Sequence, residues 1–354
     1  MSFLWEDKIR VVEPYTPGEQ PQKNNVIKLN TNENPYGPSD EIKKIINNLS
    51  ADDFRKYPDP TSESLVSELA AFHNVDKSRV FVGVGSDDVL AVSFLTFFNS
   101  DKPILFADIT YSFYPVWADL FKVPYKVCKL DDDFRIKTED YLTDNGGVII
   151  ANPNAPTGIY FDKSEIIKIL EYNKSSIVII DEAYIDFAED GSSCIDLIDR
   201  YDNLLITRTF SKSRSLAGLR IGYAIGNEAL IKYMNDVKYS FNSYTMNYAA
   251  LTLGSAVIKD NDYFENVISK IKATRERFSQ ELQDRGFKVL PSSTNFVFAC
   301  HEKYSAEEIF NAAKKKQIYF RFFKQSRIDN FLRITIGKDE EMDEVIRFLD
   351  SYIK

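Results

Sequence analysis

The amino-acid sequence predicts an α/β fold, in which a large domain with a mostly parallel sheet between helices precedes a smaller α+β domain. Between residues 79 and 226, short apolar runs alternate with helical stretches, a pattern typical of a parallel sheet. From about Asn247 the pattern changes to long helices followed by a few strand-like runs. With 354 residues, the chain is long enough to bury the cores of two domains.

The predicted elements follow in chain order. Residues 1–40 are rich in proline, glycine and asparagine and predict an extended N-terminal arm. The large domain, predicted at 41–246, begins with helical patterns at DEIKKIINNL and SESLVSELAAFHN. Its strands are predicted at RVFVGVG, PILFADI, GGVIIAN, SIVIIDEAY, NLLITRTF and RIGYAIG, and the short connection before the last leaves an antiparallel arrangement open. The small domain, predicted at 247–354, has long helices, strands within FKVLPSSTNFVFAC and FLRITIG, and a closing helix at DEEMDEVIRFLDSYI.

Composition and charge argue against several classes of function. The 44 basic and 53 acidic residues give a net charge of −9, which is unfavourable for a nucleic-acid surface. The three cysteines share no C-x-x-C spacing, which fits a reducing compartment and argues against a structural metal. The start, MSFLWEDKIR, has no apolar signal core, and no run approaches the ~20 apolar residues of a membrane span, so a cytoplasmic protein is expected. The only histidines, His73 and His301, lie in structural or solvated patterns, so a histidine-based hydrolase is poorly supported.

Polar residues follow five of the predicted strands at the point where each strand ends. In open α/β sheets, ligands bind outside the carboxyl ends of the strands, so these residues are expected to form one composite site. The five exits are Ser86-Asp87-Asp88, Thr110-Tyr111, Asn152 to Gly158, Asp181 to Tyr184, and Ser211-Lys212.

The glycine pattern predicts a single phosphate as part of the ligand. The chain has neither G-x-G-x-x-G nor G-x-x-x-x-G-K-[ST], so a dinucleotide or nucleoside triphosphate is not expected. However, the helix predicted after the strand RVFVGVG begins with a glycine and the hydroxyl of Ser86, and the N-terminus of such a helix can hold one phosphate group.

An aspartate that ends a buried strand, a tyrosine three residues later, a lysine, and an arginine eight residues beyond the lysine suit pyridoxal 5′-phosphate. Lys212 would form the Schiff base, which needs a neutral amine at the moment of attack. Asp181 would pair with the pyridinium nitrogen and keep the ring an electron acceptor. Tyr184 would reach the phenolic oxygen of the ring. The phosphate would be held by Ser86, Ser211 and Arg220.

The order of three motifs resembles that of the fold-type I pyridoxal-phosphate aminotransferases. They are N-P-x-x-P-T-G, D-E-A-Y and an S-K that G-L-R-x-G follows. EPYTPG, LNTNENP, RKYPDP and the late FLRITIG are similar to the histidinol-phosphate aminotransferase family within that superfamily. The resemblance spans nearly the whole chain. It implies a homodimer with active sites at the subunit interface, and an arm that packs with the small domain and the partner subunit.

The resemblance also implies roles for further residues. Tyr111 would stack on the cofactor ring, and Tyr57 would reach the cofactor phosphate of the neighbouring subunit. Asp87 and Thr209 would complete the cofactor site. Arg333 would bind the α-carboxylate of the substrate. The remaining substrate candidates are Tyr15, Asn32 and Arg321, with Arg327 as an alternative to Arg321 for the substrate phosphate.

One position departs from the pattern of the family. Relatives often carry an asparagine directly before Pro-Thr-Gly, and its amide meets the phenolic oxygen of the ring. Ala155 occupies that position here. Asn154 is the favoured replacement, and Asn152 and Tyr184 alone are the alternatives. Without a replacement, one donor to the phenolic oxygen is missing, and the bound cofactor is expected to titrate at a higher pH.

The activity implied by the resemblance is ping-pong amino transfer in histidine biosynthesis. Histidinol phosphate and imidazole-acetol phosphate would exchange an amino group with 2-oxoglutarate and glutamate. Two alternatives share the fold: an aromatic amino-acid aminotransferase, which needs no phosphate subsite, and a threonine-phosphate decarboxylase, which releases carbon dioxide. A transcription regulator that senses the cofactor would need a fused DNA-binding domain. A Schiff-base aldolase would need no partner such as Asp181.

Overall fold

The computed structural model describes residues 5–22 and 25–353. Residues 1–4, 23 and 24 of the predicted arm, and residue 354 of the predicted small domain, lie outside the described residues. In the described ranges no helix combines the length and the apolar character needed to span a membrane. The strands are β1 Ile27–Lys28, β2 Val80–Gly83, β3 Ile104–Ala107, β4 Tyr125–Cys128, β5 Gly147–Ala151, β6 Val178–Asp181, β7 Leu204–Thr209, β8 Gly222–Gly226, β9 Phe287–Val289, β10 Phe296–His301, β11 Ile318–Tyr319, β12 Arg321–Phe322 and β13 Leu332–Thr335.

Helices separate most of these strands along the chain. The α-helices are α1 Asp40–Asn47, α2 Glu63–His73, α3 Gly85–Phe97, α4 Phe113–Phe121, α5 Lys163–Tyr172, α6 Glu228–Phe241, α7 Tyr248–Lys259, α8 Asn261–Asp284, α9 Ala306–Lys315 and α10 Asp339–Tyr352. The described part of the arm has one short 3₁₀ turn, Glu6–Lys8, before β1. The prediction of an arm with little helix is therefore confirmed for these residues.

The main sheet has seven strands in the order β2-β8-β7-β6-β5-β3-β4. All its neighbouring pairs are parallel except those of β8, which runs antiparallel to both β2 and β7. The predicted α/β class and the antiparallel option for RIGYAIG are thus confirmed. Strand β4 was not predicted, because three of its four residues are exposed at the edge and form no apolar run.

Helices cover both faces of the main sheet. Successive residues of a strand point to opposite faces, so Val148 and Ile150 join a core cluster with α2, α5 and α7. Ile149 and Ala151 join a second cluster with α3, α4 and α6. Burial on both faces explains why the inner strands read as continuous apolar runs.

A second, antiparallel sheet has the order β12-β13-β10-β9 and packs with α8, α9 and α10. The arm joins this part of the chain, because β1 pairs in parallel with β11. Beyond β1, the backbone N–H of Leu29 donates to the carbonyl of Tyr319, and that of Thr335 donates to the carbonyl of Leu29. The arm therefore reaches the second sheet, while the division of the chain into domains stays a prediction.

Candidate active site

The five predicted strand exits meet at one edge of the main sheet. Because only β8 is reversed, β2, β3, β5, β6 and β7 all end on the same side. A cavity of about 120 Å³ lies there, called the inner cavity below. Its walls are Ser86, Asp87, Tyr111, Ala151, Pro153, Ala155, Asp181, Ala183, Tyr184, Thr209, Ser211, Lys212 and Arg220.

One end of the inner cavity is a cradle suited to an anion. The N-terminus of α3 supplies Ser86, and two glycines let the backbone come close. A Cβ atom on Gly222 would lie 2.2 Å from the carbonyl carbon of Gly85, so a side chain there would push β8 away from α3. Arg220 Nη1 donates to Ser211 Oγ at 3.2 Å, which holds the guanidinium at the same end.

Asp87 occupies this end together with Arg220 and Tyr111. Its carboxylate accepts from Arg220 Nη2 at 3.1 Å and from the Tyr111 hydroxyl at 2.6 Å. Burial and this carboxylate raise the pKa of Tyr111 far above its ordinary value. Asp87 therefore lines the predicted cofactor site, and in this structure it neutralises the arginine predicted to hold the phosphate.

Asp181 is a buried carboxylate at the end of β6. It accepts from the Tyr114 hydroxyl at 2.8 Å and from Thr207 Oγ1 at 3.3 Å. Burial raises the pKa of Asp181 to about 6, although the hydrogen bonds from Tyr114, the Ala183 backbone and Thr207 oppose that rise. Tyr114 was missed by the sequence analysis. A tyrosine three residues after Tyr111, at the start of a helix, was the only available signal.

Lys212 and Tyr184 face each other across the inner cavity. Lys212 Nζ lies 5.7 Å from the centroid of the Tyr184 ring and donates to the carbonyl of Thr31 at 3.0 Å. The Tyr184 hydroxyl accepts from Asn32 Nδ2 at 2.9 Å. Lys212, Asp181 and Tyr184 therefore line one cavity, as a shared catalytic role requires.

A buried ion pair joins the ends of β6 and β7, the two strands that lead to Tyr184 and Lys212. Arg208, in β7, donates through Nε and Nη2 to Glu182 Oε2 at 3.0 and 2.8 Å. Burial works against its charge, but the Glu182 carboxylate raises the pKa of Arg208. Glu182 follows Asp181 directly, and Arg208 precedes Thr209, so the pair fixes the spacing between the ends of β6 and β7. The sequence analysis did not identify this pair.

An outer cavity of about 430 Å³ adjoins the inner one and shares Lys212 and Tyr184 with it. Tyr15, Arg321 and Arg333 line it, and Tyr15 stacks on Phe113 with ring centroids 4.2 Å apart. Arg321 and Arg333 lie directly opposite each other on the paired strands β12 and β13.

Neither of these two arginines forms an ion pair with a carboxylate of the described residues. Arg333 donates to the carbonyl of Asn30 at 3.1 Å, and its Nε has no hydrogen-bond partner among the residues that the structure describes. Burial lowers the pKa of Arg333, and the charge of Arg321 lowers it further. Like charges placed opposite each other are unfavourable, so the pair is suited to an anionic ligand.

Arg327 is bonded within the protein, which favours Arg321 in the alternative left open by the sequence. Its Nη1 lies 2.9 Å from Asp108 Oδ2. Its Nη2 donates to the carbonyls of Leu130 and Asp131 at 3.0 and 2.6 Å. Arg321, which lines the outer cavity, is the cation available to a ligand.

In the structure the amides of Asn154 and Asn152 are both bonded within the protein, which disfavours the preference for Asn154 as the replacement amide. Asn154 Nδ2 donates to the carbonyl of Ile109 and to Thr157 Oγ1, both at 2.9 Å, which uses both of its N–H groups. Asn152 is bound in both directions to the backbone of Phe161. The inner cavity is lined at this loop by Pro153 and Ala155 and not by either amide.

Two further predicted residues lie in unexpected settings. Asn32 lines the outer cavity, but its side chain is bound to Tyr184 and Thr335. Tyr57 is 82% exposed, lines neither cavity of its own chain, and contacts Tyr244 in a tilted ring pair with centroids 4.6 Å apart. Its predicted place in the neighbouring subunit stays a prediction.

The histidines and cysteines lie outside both cavities. His73 Nε2 is 2.9 Å from the Tyr223 hydroxyl, and burial lowers the pKa of His73 to about 2. His301 contacts the carbonyl of Arg285. Within the described ranges, no group of three or more histidine, cysteine, aspartate or glutamate side chains could bind a metal ion.

Known proteins share this arrangement over nearly the whole chain. The family model described as "Aminotransferase class I and II" matches residues 24–349. A histidinol-phosphate aminotransferase of Clostridium beijerinckii is 51% identical over 354 residues, covering 99% of this chain and 98% of the relative. The solved histidinol-phosphate aminotransferase of Clostridium acetobutylicum has a TM-score of 0.85 at 27% identity, covering 92% of this chain and 99% of that one. The Sinorhizobium meliloti structure, in complex with pyridoxal-5′-phosphate, has a TM-score of 0.84 at 25% identity, covering 92% and 91%.

Proposed function

The chain belongs to the class I and II aminotransferases, and we propose that it transfers an amino group between histidinol phosphate and 2-oxoglutarate. The cofactor is pyridoxal 5′-phosphate, and the reaction serves histidine biosynthesis. The proposed substrate rests on one observation, the pair of opposed arginines in the outer cavity. The amino substrate histidinol phosphate has no carboxylate, and its phosphate is its only anionic group.

The charge of the arginine pair fits a phosphate better than a single carboxylate. A phosphate carries nearly two negative charges at neutral pH and three acceptor oxygens, so it can bind both guanidiniums at once. In the half-reaction with glutamate, Arg333 would hold the α-carboxylate of that substrate. Phenylalanine would leave one of the two cations unbalanced, which disfavours an aromatic aminotransferase.

The inner cavity fits the cofactor. Ser86, Ser211 and Arg220, with the glycine-lined N-terminus of α3, would hold its phosphate. Asp181 would pair with the ring nitrogen, and Tyr111 would cover the ring. The raised pKa of Asp181 reflects a buried carboxylate without a cation beside it, which is the environment that a pyridinium would complete.

The side chains of this site would bind and orient the cofactor and the substrate, and they would move protons. Bound pyridoxal phosphate supplies an electron sink for the carbanion at the amino-bearing carbon of the substrate. Among the described residues, Lys212 Nζ is the only lysine amine that lines the two cavities, and it would move the proton between that carbon and the C4′ carbon of the cofactor. Asp181, held by Tyr114 and Thr207, would keep a proton on the ring nitrogen.

Half-reactions with single substrates test the proposed function. We expect histidinol phosphate and glutamate to bleach the visible band of the yellow holoenzyme, and phenylalanine and tyrosine to do so far more slowly. Arg321→Gln should slow the half-reaction with limiting histidinol phosphate by about 10- to 100-fold, because a charge-assisted bond to the phosphate is lost. The same change should leave the slow reaction with phenylalanine nearly as it was.

Arg327→Gln is the matched control. It removes an arginine that lies near Arg321 in sequence but is bonded to Asp108, so it should lower stability without changing substrate preference. A faster half-reaction with phenylalanine than with histidinol phosphate would refute the proposed substrate. Release of carbon dioxide from threonine phosphate would indicate the decarboxylase instead.

We also propose that the active unit is a homodimer, in which Tyr57 crosses to the site of the partner. Support comes from large exposed aromatic side chains on two segments, 54–57 and 239–244, which are in contact through Tyr57 and Tyr244. These are Phe54 at 54%, Tyr57 at 82%, Tyr239 at 42%, Phe241 at 77% and Tyr244 at 46% exposure. The three free thiols fit a reducing compartment, and we propose the cytoplasm.

Mixing two inactive variants tests the crossing of Tyr57. Tyr57→Ala and Lys212→Ala are unfolded together and refolded, so that mixed dimers form. If Tyr57 acts in the partner, each mixed dimer has one complete site, and about a quarter of the wild-type activity should return. If Tyr57 acts in its own chain, or not at all, mixing restores nothing beyond the average of the two variants.

A further inference from the structure

Three consecutive residues of the arm each hold one functional side chain. The carbonyl of Asn30 accepts from Arg333 Nη2, the carbonyl of Thr31 accepts from Lys212 Nζ, and Asn32 Nδ2 donates to the Tyr184 hydroxyl. The third contact is the most informative, since it is a side-chain bond between buried groups and its direction can be derived.

The hydrogen bonds of Thr335 fix which way the Asn32 amide faces. Thr335 Oγ1 accepts from the backbone N–H of Asn32 at 3.1 Å, so its own hydrogen must point elsewhere. Thr335 is 2% exposed, and the only acceptor within reach of that hydrogen among the described residues is the Asn32 side chain at 3.0 Å, so the amide oxygen is the group that faces Thr335. The opposite face of the amide, which is the NH₂ group, is therefore the one at Tyr184.

This direction determines what the Tyr184 hydroxyl can do. Its oxygen accepts from Asn32 at 2.9 Å, so its single hydrogen stays available. Among the described residues, no acceptor is recorded for that hydrogen, and Tyr184 lines the inner cavity. A hydroxyl that already accepts a hydrogen bond is also a stronger donor, because the two bonds polarise each other.

The part of this cavity wall that the loop around Ala155 forms lacks a side-chain donor among the described residues. Ala155 lines it, and the amides of Asn152 and Asn154 are bonded to Phe161, Ile109 and Thr157. The phenolic oxygen of a bound cofactor would find no side-chain amide on this loop.

We infer that Asn32 is a positioning residue that orients the Tyr184 hydroxyl as a donor to the phenolic oxygen of the cofactor, in place of the amide missing at Ala155. The inference rests on the proposed function, since it needs the cofactor in the inner cavity. It gives Asn32 a role other than the contact with substrate predicted from the sequence.

The visible pH titration of the holoenzyme tests the inference without measuring turnover. Asn32 has a left-handed backbone with a φ of 57°, which glycine adopts freely, so Asn32→Gly removes the amide without straining the chain. A weaker bond to the phenolic oxygen should raise the midpoint of the visible band by about half to one pH unit. Thr335→Val removes the hydroxyl that orients the Asn32 amide, so the amide can rotate by 180° and the midpoint should shift in the same direction. Thr335→Ser keeps the hydroxyl and should leave the midpoint unchanged.

Ala155→Asn provides a rescue. Placed in the Asn32→Gly background, it restores an amide on the loop and should return the midpoint towards the wild-type value. The inference is overturned if Asn32→Gly and Thr335→Val bind the cofactor with an unchanged midpoint. It is also overturned if Thr335→Ser shifts the midpoint as far as Thr335→Val, which would indicate general loosening. A wild-type protein that gains no visible band with pyridoxal phosphate would instead refute the proposed function, and the inference with it.

Discussion

Replacement of Lys212 by alanine is expected to reduce amino transfer by about 10⁴-fold or more. No other lysine lines the inner or the outer cavity, so within the described residues no second amine is placed to move the proton. The fold should remain intact, since the one hydrogen bond recorded for the amine, to the carbonyl of Thr31, contributes only about 1 kcal/mol to stability. Steady-state rates and thermal unfolding would be measured on the same preparation.

Lys232→Ala is a suitable control for this change. Lys232 is 68% exposed and pairs with Asp236 within one helix, so its loss should alter neither rate nor stability by much. Wild-type rates in Lys212→Ala would show that the assignment of the site is wrong. If Lys212→Ala loses both activity and folding, Lys212→Arg should be measured next. This variant keeps the charge, so it separates the loss of chemistry from the loss of structure.

Asp181→Asn is expected to have opposite effects on activity and on stability. Turnover should fall by about 10²- to 10³-fold, because a preorganised charge beside the ring nitrogen is lost. The cofactor-free protein, however, should become more stable by up to about 3 kcal/mol at pH 7. This gain arises because burial raises the pKa of Asp181 from its ordinary value of 3.8 to about 6, so its ionised form is unfavourable in the folded state.

The pH dependence of this gain distinguishes the charge from other effects of the substitution. Between about pH 4 and 6 the folded wild-type protein holds a proton at Asp181 that the unfolded chain has lost, so wild-type stability falls as the pH rises. The difference between Asp181→Asn and wild type should therefore grow over this window and stay constant above it. Urea unfolding of both cofactor-free proteins from pH 4 to 7 measures it. A difference that does not change with pH would contradict the prediction, and Asp144→Asn at an exposed ion pair is the control.

The fold and the location of the site follow from local pattern, because the inner strands are buried on both faces. Burial of this kind gives apolar runs such as GVIIA and VIID, and the polar residue that ends each run is visible in the sequence. Strand β4 has exposed residues and escaped detection, and β1, β11 and β12 have two residues each, too few for any periodicity.

The partners of the site residues could not be read from the sequence. Tyr114 reaches Asp181 across a separation of 67 residues, and Asn32 reaches Tyr184 across 152. The bonds of Asn154 were hidden for the same reason, since the internal hydrogen bonds of its loop decide which amides face the cavity. Likewise, only the position of Asp108 shows that Arg327 is already neutralised.

The reversal of β8 affects how precisely Lys212 and Arg220 are placed relative to each other. Because β8 runs back beside β7, with Thr209 opposite Gly222, the connection of residues 210–221 starts and ends at one pair of facing residues. Lys212 and Arg220 both lie on this connection, and Arg220 also bonds to Ser211 within it. The spacing between the reactive nitrogen and the anion anchor is therefore set largely within one continuous segment of the chain.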